Sequence, residues 1–238
     1  MHSTYPLDQS HKLVHFRPIW ASPPITNTTK PMEFRLPALP TTCDATMLPH
    51  PASVPLRWRP VQHWPRANRP NLALRDWLSH EGSLTARLQQ QSQGYFQVHI
   101  LRQHLALPHL DERQLLGQYR RPSLALIREV ILQGRGEDWV FARSVLPLQS
   151  LTGRLRHLRH QGSKPLGAFL FSRPDLARSP IELACISPQQ GYVPISLYQQ
   201  AQHLWGRRSV FYLDRKPLLV SEVFLPSFCQ GLAHSQPR

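Results

Sequence analysis

Thirteen of the 24 prolines in this 238-residue chain fall before residue 71, and no other feature constrains its folding as strongly. Each proline removes a backbone donor and excludes a helix interior. The stretches "ASPPITNTTKP", "RLPALPTT" and "LPHPASVPLRWRP" therefore sustain no apolar period. Residues 1–65 are expected to form a mostly irregular N-terminal extension. From Arg66 onward about 170 residues remain, enough to bury a sizeable core as one domain, 66–238.

The formal charge of +14 invites a nucleic-acid reading. Its distribution argues against it, because residues 1–65 hold 6 basic and 3 acidic residues and residues 66–238 hold 22 and 11. The excess is diffuse and no nucleic-acid-binding signature accompanies it, so no nucleic-acid partner is expected. The one dense basic stretch, "GRLRHLRHQGSK" (153–164), reads as a solvated helical face. His157 and His160 have a usable metal-ligand spacing, but Arg154, Arg156 and Arg159 around them would repel a cation. Three widely spaced cysteines, Cys43, Cys185 and Cys229, fit neither a disulfide framework nor a thiolate zinc site and suit a reducing cytoplasm. No run approaches the roughly 20 apolar residues that span a bilayer, and no secretory signal is evident. Phosphate loops, a GxSxG elbow and a HExxH helix are missing as well.

Within the domain, "NLALRDWLSHEG" (71–82) is expected to be a helix ending at Gly82, and "SLTARLQQQS" a second helix capped by Ser83. "YFQVHILRQHLAL" (95–107) alternates as a strand, and 123–133 and 138–148 flank the turn "GRGE" as a hairpin. "LTGRLRHLRH" and "KPLGAFLF" read as helices, "SPIELACIS" as a strand, and 204–226 as a final hairpin around "DRKP". Short helices among hairpins predict an α+β fold with an antiparallel sheet.

Strand parity singles out charged positions. Leu126, Arg128, Val130 and Leu132 share one face, as do Trp139, Phe141, Arg143 and Val145. A four-residue turn at 134–137 sets Arg128 opposite Arg143, a like-charge pair that an anion between them would reconcile. In the last hairpin Glu222 sits between Val220 and Phe224 on an apolar face. Either it pairs with Arg128 or Arg143 as a structural bridge, or the three charges line a pocket above the sheet. Parity leaves both open.

Four motifs, "DWLSHEGSLTARL", "IREVILQGRGEDWVFARSVLP", "KPLGAFLF" and "LWGRRSVFYLDRKPLLVSEVFLP", in this order and at compatible intervals, resemble the chorismate pyruvate-lyases of bacterial ubiquinone biosynthesis. The resemblance covers most of 71–226. Residues 1–65 lie outside it, and "PQQGYVPISLYQQAQH" (188–203) is longer than in some relatives. It implies a monomeric, cytoplasmic α+β enzyme with a six-stranded antiparallel sheet and helical flaps over an enclosed cavity. Such an enzyme converts chorismate to 4-hydroxybenzoate and pyruvate without cofactor or metal. The family's product-binding positions fall on Arg128, which holds the ring carboxylate, Glu222, which meets the ring hydroxyl, and Leu84 and Leu166, which offer backbone groups from the flaps. Leu84 stands where the best-known relative has methionine. Arg143 is added, from the cross-strand argument, as a candidate for the second carboxylate of the substrate. A related fold, the ligand domain of bacterial transcription regulators, supplies the alternative of a non-catalytic anion-binding module.

Overall fold

Chain order in the computed structural model, which describes residues 56–65, 69–118 and 120–234, begins with a two-residue strand β1 (Arg59–Pro60) inside the segment expected to be irregular. Helices α1 (Leu72–Ser79) and α2 (Leu84–Ser92) follow. Asn71 caps the first by accepting the Leu74 N–H at 2.8 Å, and Ser83 caps the second from Ala86 at 3.2 Å, as expected of Ser83. The first helix stops at His80, short of Gly82. Then come β2 (Phe96–Ala106), α3 (Leu110–Leu115), β3 (Ala125–Gly134) and β4 (Glu137–Pro147). A 3₁₀ helix (Gly153–His160), α4 (Leu166–Phe171), β5 (Ala177–Arg178) and β6 (Glu182–Ile186) lead to β7 (Leu204–Leu213), β8 (Lys216–Phe224) and α5 (Pro226–His234). Within this 3₁₀ helix only Leu155 and Leu158 are buried; their spacing of three is the 3₁₀ period, and the arginines and histidines around them face solvent.

The strands form one antiparallel sheet in the order β1-β6-β7-β8-β4-β3-β2, with β5 paired to β7. Six strands have five residues or more; the two-residue β1 and β5 raise the expected six to eight. The fold is α+β. Helices α1, α2 and α5, the 3₁₀ helix and α4 cover one face, packing Leu78, Leu84, Leu88 and Phe228 on Val130, Val140 and Phe224, and Leu155, Leu166 and Leu170 on Leu126, Leu146 and Phe211. This is the helix-covered face. Onto the opposite face fold α3 and the 188–203 segment, which carries two 3₁₀ turns and buries Tyr192, Val193 and Tyr198 against Phe141, Ile186 and Val223. Among the described residues no helix is long and apolar enough to cross a membrane.

The hairpin register corrects the expected pairing of Arg128 with Arg143. Only Arg135 and Gly136 form the turn, both at positive φ (55° and 81°), as a two-residue type I′ loop demands. Gln133↔Asp138 and Gly134↔Glu137 keep the expected sum of 271, but between Leu132 and Gln133 the register shifts, and from Leu132↔Val140 onward pairs sum to 272. Trp139 is the extra residue of this bulge. Its ring lies over Gly134, where an added Cβ would come within 2.1 Å of it, so only glycine admits the packing. One residue of slip reverses every side chain beyond it. Arg128 consequently faces Ser144 on the helix-covered side, and Arg143 faces Glu129 on the other.

Arg143 is there the centre of a buried ion network. It donates from Nε to Glu112 Oε1 of α3 (2.8 Å) and from Nη1 to Glu129 Oε1 of β3 (2.5 Å). Burial alone would raise both carboxyls, but the hydrogen bonds and charge of the arginines outweigh it and hold them below the ordinary value.

Packing against the sheet begins before residue 65. β1 pairs with β6, Trp58 is buried edge-on to Tyr192, and Trp64 stands edge-on to Trp205 at 4.8 Å while its Nε1 donates to Leu183 O. Residues 56–65 belong to the domain, and the expectation for residues 1–55 lies outside the described residues.

Candidate active site

Between the two apolar clusters of the helix-covered face runs a polar island, and cross-strand register places its members. One row across the sheet is Arg128, Ser144, Val220 and Ser209; the next is Val130, Ala142, Glu222 and Arg207. Arg128 and Glu222 are thus two strands and one two-residue step apart. At about 4.8 Å per strand and about 6.8 Å per step, their Cα atoms lie roughly 12 Å apart. The side chains between them are small: Ser144, Ala142 and Val220.

Arg128 is 3 % exposed, and burial lowers its pKa. Its Nη2 donates to Gly162 O (2.8 Å) and Lys164 O (3.3 Å), the loop leading into α4, while Nε is buried with no acceptor among the described residues. A buried, unpaired donor on a cation costs several kcal/mol, so this guanidinium is built to receive an acceptor. At the other end Glu222 Oε2 accepts from Arg207 Nε at 2.7 Å, and Arg207 Nη1 continues to Trp77 O (3.0 Å) and His80 O (2.6 Å) at the end of α1. Glu222 is therefore bridged, but to neither arginine named from parity.

Two helical units roof the island. The α1–α2 pair supplies Leu84, the first residue of α2, and the 3₁₀–α4 unit supplies Leu166, the first of α4; both leucines are buried. The roofs touch where a Cβ on Gly167 would meet Thr85 Oγ1 at 2.9 Å. The first N–H groups of a helix have no intrahelical acceptor. Ser83 takes up that of Ala86, and Pro165 offers no side-chain acceptor to α4.

A family model, "Chorismate lyase", matches residues 60–231. The chain belongs to the chorismate lyase family. A probable chorismate pyruvate-lyase of Aromatoleum aromaticum is 43 % identical over 66 % of this chain and 86 % of its own length. Proteins of the same description from Coxiella burnetii (39 % identical, 64 % of this chain, 83 % of that one) and Nitrosomonas eutropha (36 %, 75 % and 98 %) are also similar. Among solved structures the effector domain of PhnF from Mycobacterium smegmatis matches with a TM-score of 0.44 at 17 % identity, covering 61 % of this chain and 90 % of that one.

Four of the five site residues named from sequence, Arg128, Glu222, Leu84 and Leu166, lie on or over this one face of the lyase-family fold. Arg143 does not; the bulge at Trp139 turns it away. Arg207 was missed, although a signal for it existed. A two-residue turn at Asp214–Arg215 makes pairs sum to 429, which puts Arg207 directly opposite Glu222.

Proposed function

We propose that the protein is a chorismate pyruvate-lyase, which removes pyruvate from chorismate to leave 4-hydroxybenzoate at the head of ubiquinone biosynthesis, and that it acts as a cytoplasmic monomer. The observation that carries this reading is the arrangement of Arg128 and Glu222. They stand at opposite ends of a buried strip floored by small side chains, one with an unpaired donor and the other with a carboxylate oxygen beyond its bridge. A ring with a carboxylate at one end and a hydroxyl para to it satisfies both ends.

The reaction breaks the ether bond on its ring-carbon side, and the ring hydrogen of the hydroxyl-bearing carbon passes as a proton to the methylene carbon of the departing enolpyruvate. The fragment leaves as pyruvate and the ring becomes aromatic, so the step is strongly downhill. The protein need only hold the reacting conformation and bias the charge. Arg128 donates to the ring carboxylate from Nε, its unpaired donor, while Nη2 stays anchored to the loop before α4. Glu222 accepts from the ring hydroxyl, with Arg207 fixing its other oxygen. The first N–H groups of α2 and α4, at Leu84 and Leu166, close over the ring from the roof.

Incubation of the purified protein with chorismate should release 4-hydroxybenzoate, read by its absorbance, and pyruvate in equal amount. Tight binding of 4-hydroxybenzoate with no turnover would overturn the lyase reading in favour of a non-catalytic binding module.

A further inference from the structure

The substrate proposed above carries two carboxylates, and with Arg143 turned to the other face the second needs another partner. The side chain of Arg178 lies on the helix-covered face, because Arg178 pairs with Phe211 of β7, and its guanidinium sits 5.0 Å from that ring. Its Nη1 donates to Glu81 O at 2.5 Å. Arg207, which holds Glu222, donates to His80 O. The two guanidiniums therefore anchor to consecutive carbonyls of the α1–α2 turn, and Arg178 is joined to the Glu222 end of the island through one peptide unit. Burial, then the neighbouring charge of Arg207, lowers the pKa of Arg178. Its Nε is buried with no acceptor among the described residues.

Arg178 also lines a cleft of about 500 Å³ with Glu81, Phe171, Arg173 and Ser179. Arg173 brings a second guanidinium, whose Nε is likewise buried and unpaired, and Glu81 is exposed at the rim. Together the island and the cleft set four guanidiniums, Arg128, Arg207, Arg178 and Arg173, against the carboxylates of Glu222 and Glu81. That leaves a surplus of two positive charges, which a dianion balances.

We infer that Arg178 binds the carboxylate of the substrate's enolpyruvyl arm from the wall of this cleft. The assignment rests on the lyase reading. It follows from the chemistry of the substrate, whose arm branches from the ring beside the hydroxyl, at the end where Glu222, Arg207 and Arg178 converge. The arm then points toward the cleft.

The test compares Arg178→Gln and Arg178→Lys with the wild type, using chorismate turnover and calorimetric binding of 4-hydroxybenzoate, which lacks the arm. Loss of a close charge pair is expected to lower kcat/KM for chorismate by about a hundredfold in Arg178→Gln. Arg178→Lys should recover part of this, and the affinity of both variants for 4-hydroxybenzoate should stay within about twofold of wild type. Equal losses of turnover and product affinity in both variants, or unchanged turnover in Arg178→Gln beside an active wild type, would overturn the inference while leaving the lyase reading intact. A wild type that releases no pyruvate from chorismate would instead remove the lyase reading, and the inference with it.

Discussion

At the scale of single residues, the site depends on donors and acceptors that the fold leaves incomplete. Arg128→Ala removes this guanidinium, and a ligand carboxylate there would lie buried without it. Removing one partner of a buried pair costs about 3 to 5 kcal/mol, so affinity for 4-hydroxybenzoate should fall by more than about a hundredfold; wild-type affinity would take Arg128 out of the site. Glu222→Gln tests the other end. The amide oxygen still accepts from Arg207 Nε, but the buried guanidinium loses its carboxylate counter-charge and the weaker bond costs about 1.5 to 3 kcal/mol. Urea melts should register that loss together with slower turnover. Unchanged stability would mean that Arg207 is held by Trp77 O and His80 O alone. Glu222 was legible in the sequence because a carboxylate on an apolar strand face needs a reason. Arg207 was hidden by its neighbour: in "GRRS" two adjacent arginines point to opposite faces, one to Glu222 and the other, Arg208, to Glu182 and Asp111.

At the scale of elements, strands with sustained alternation were legible, and register was not. Whether Arg143 enters the site or leaves it depends on the single extra residue Trp139, and the bulge exists because Gly134 has no side chain to collide with the indole ring. Helix α3 was illegible for want of length: it has six residues, and it is pinned by the ion network as well as by apolar contacts. Arg143→Met should therefore act on stability. It leaves Glu112 buried without its arginine and Glu129 paired to Arg102, and about 3 to 5 kcal/mol should be lost in a denaturant melt. The same network sets an acid limit. The folded pKa values of Glu112 and Glu129 lie below the ordinary 4.5, so the unfolded chain binds protons first as pH falls. Their contribution is fully present well above pH 4.5 and is lost as pH drops through the folded values. Stability measured between pH 7 and pH 3 should hold to about pH 5 and then fall, and the fall should be shallower in Glu112→Gln; equal slopes would show that these carboxylates do not carry the acid transition.

At the scale of the whole molecule, the sheet of the domain was legible but its starting edge was not. Proline density in "LRWRPVQHWP" masked a two-residue strand, where Pro60 is tolerated because β1 lies at the edge of the sheet. Two tryptophans from this segment complete cores that later strands leave open. Trp58 packs on Tyr192 with the Arg208 guanidinium 4.7 Å from its ring, and Trp64 packs on Trp205. Truncation tests the boundary directly when two versions of the protein are compared, one beginning at Leu56 and one at Arg66. Deleting a buried tryptophan typically costs about 3 to 5 kcal/mol. Each kcal/mol shifts the melting temperature of a domain this size by about 2 to 4 °C. The shorter version should melt roughly 10 °C or more below the longer one, even though neither Arg128 nor Arg207 is removed. Equal melting temperatures would show that β1 and both tryptophans decorate a domain that is complete without them, and would restore the boundary at residue 65 that the prolines alone suggest.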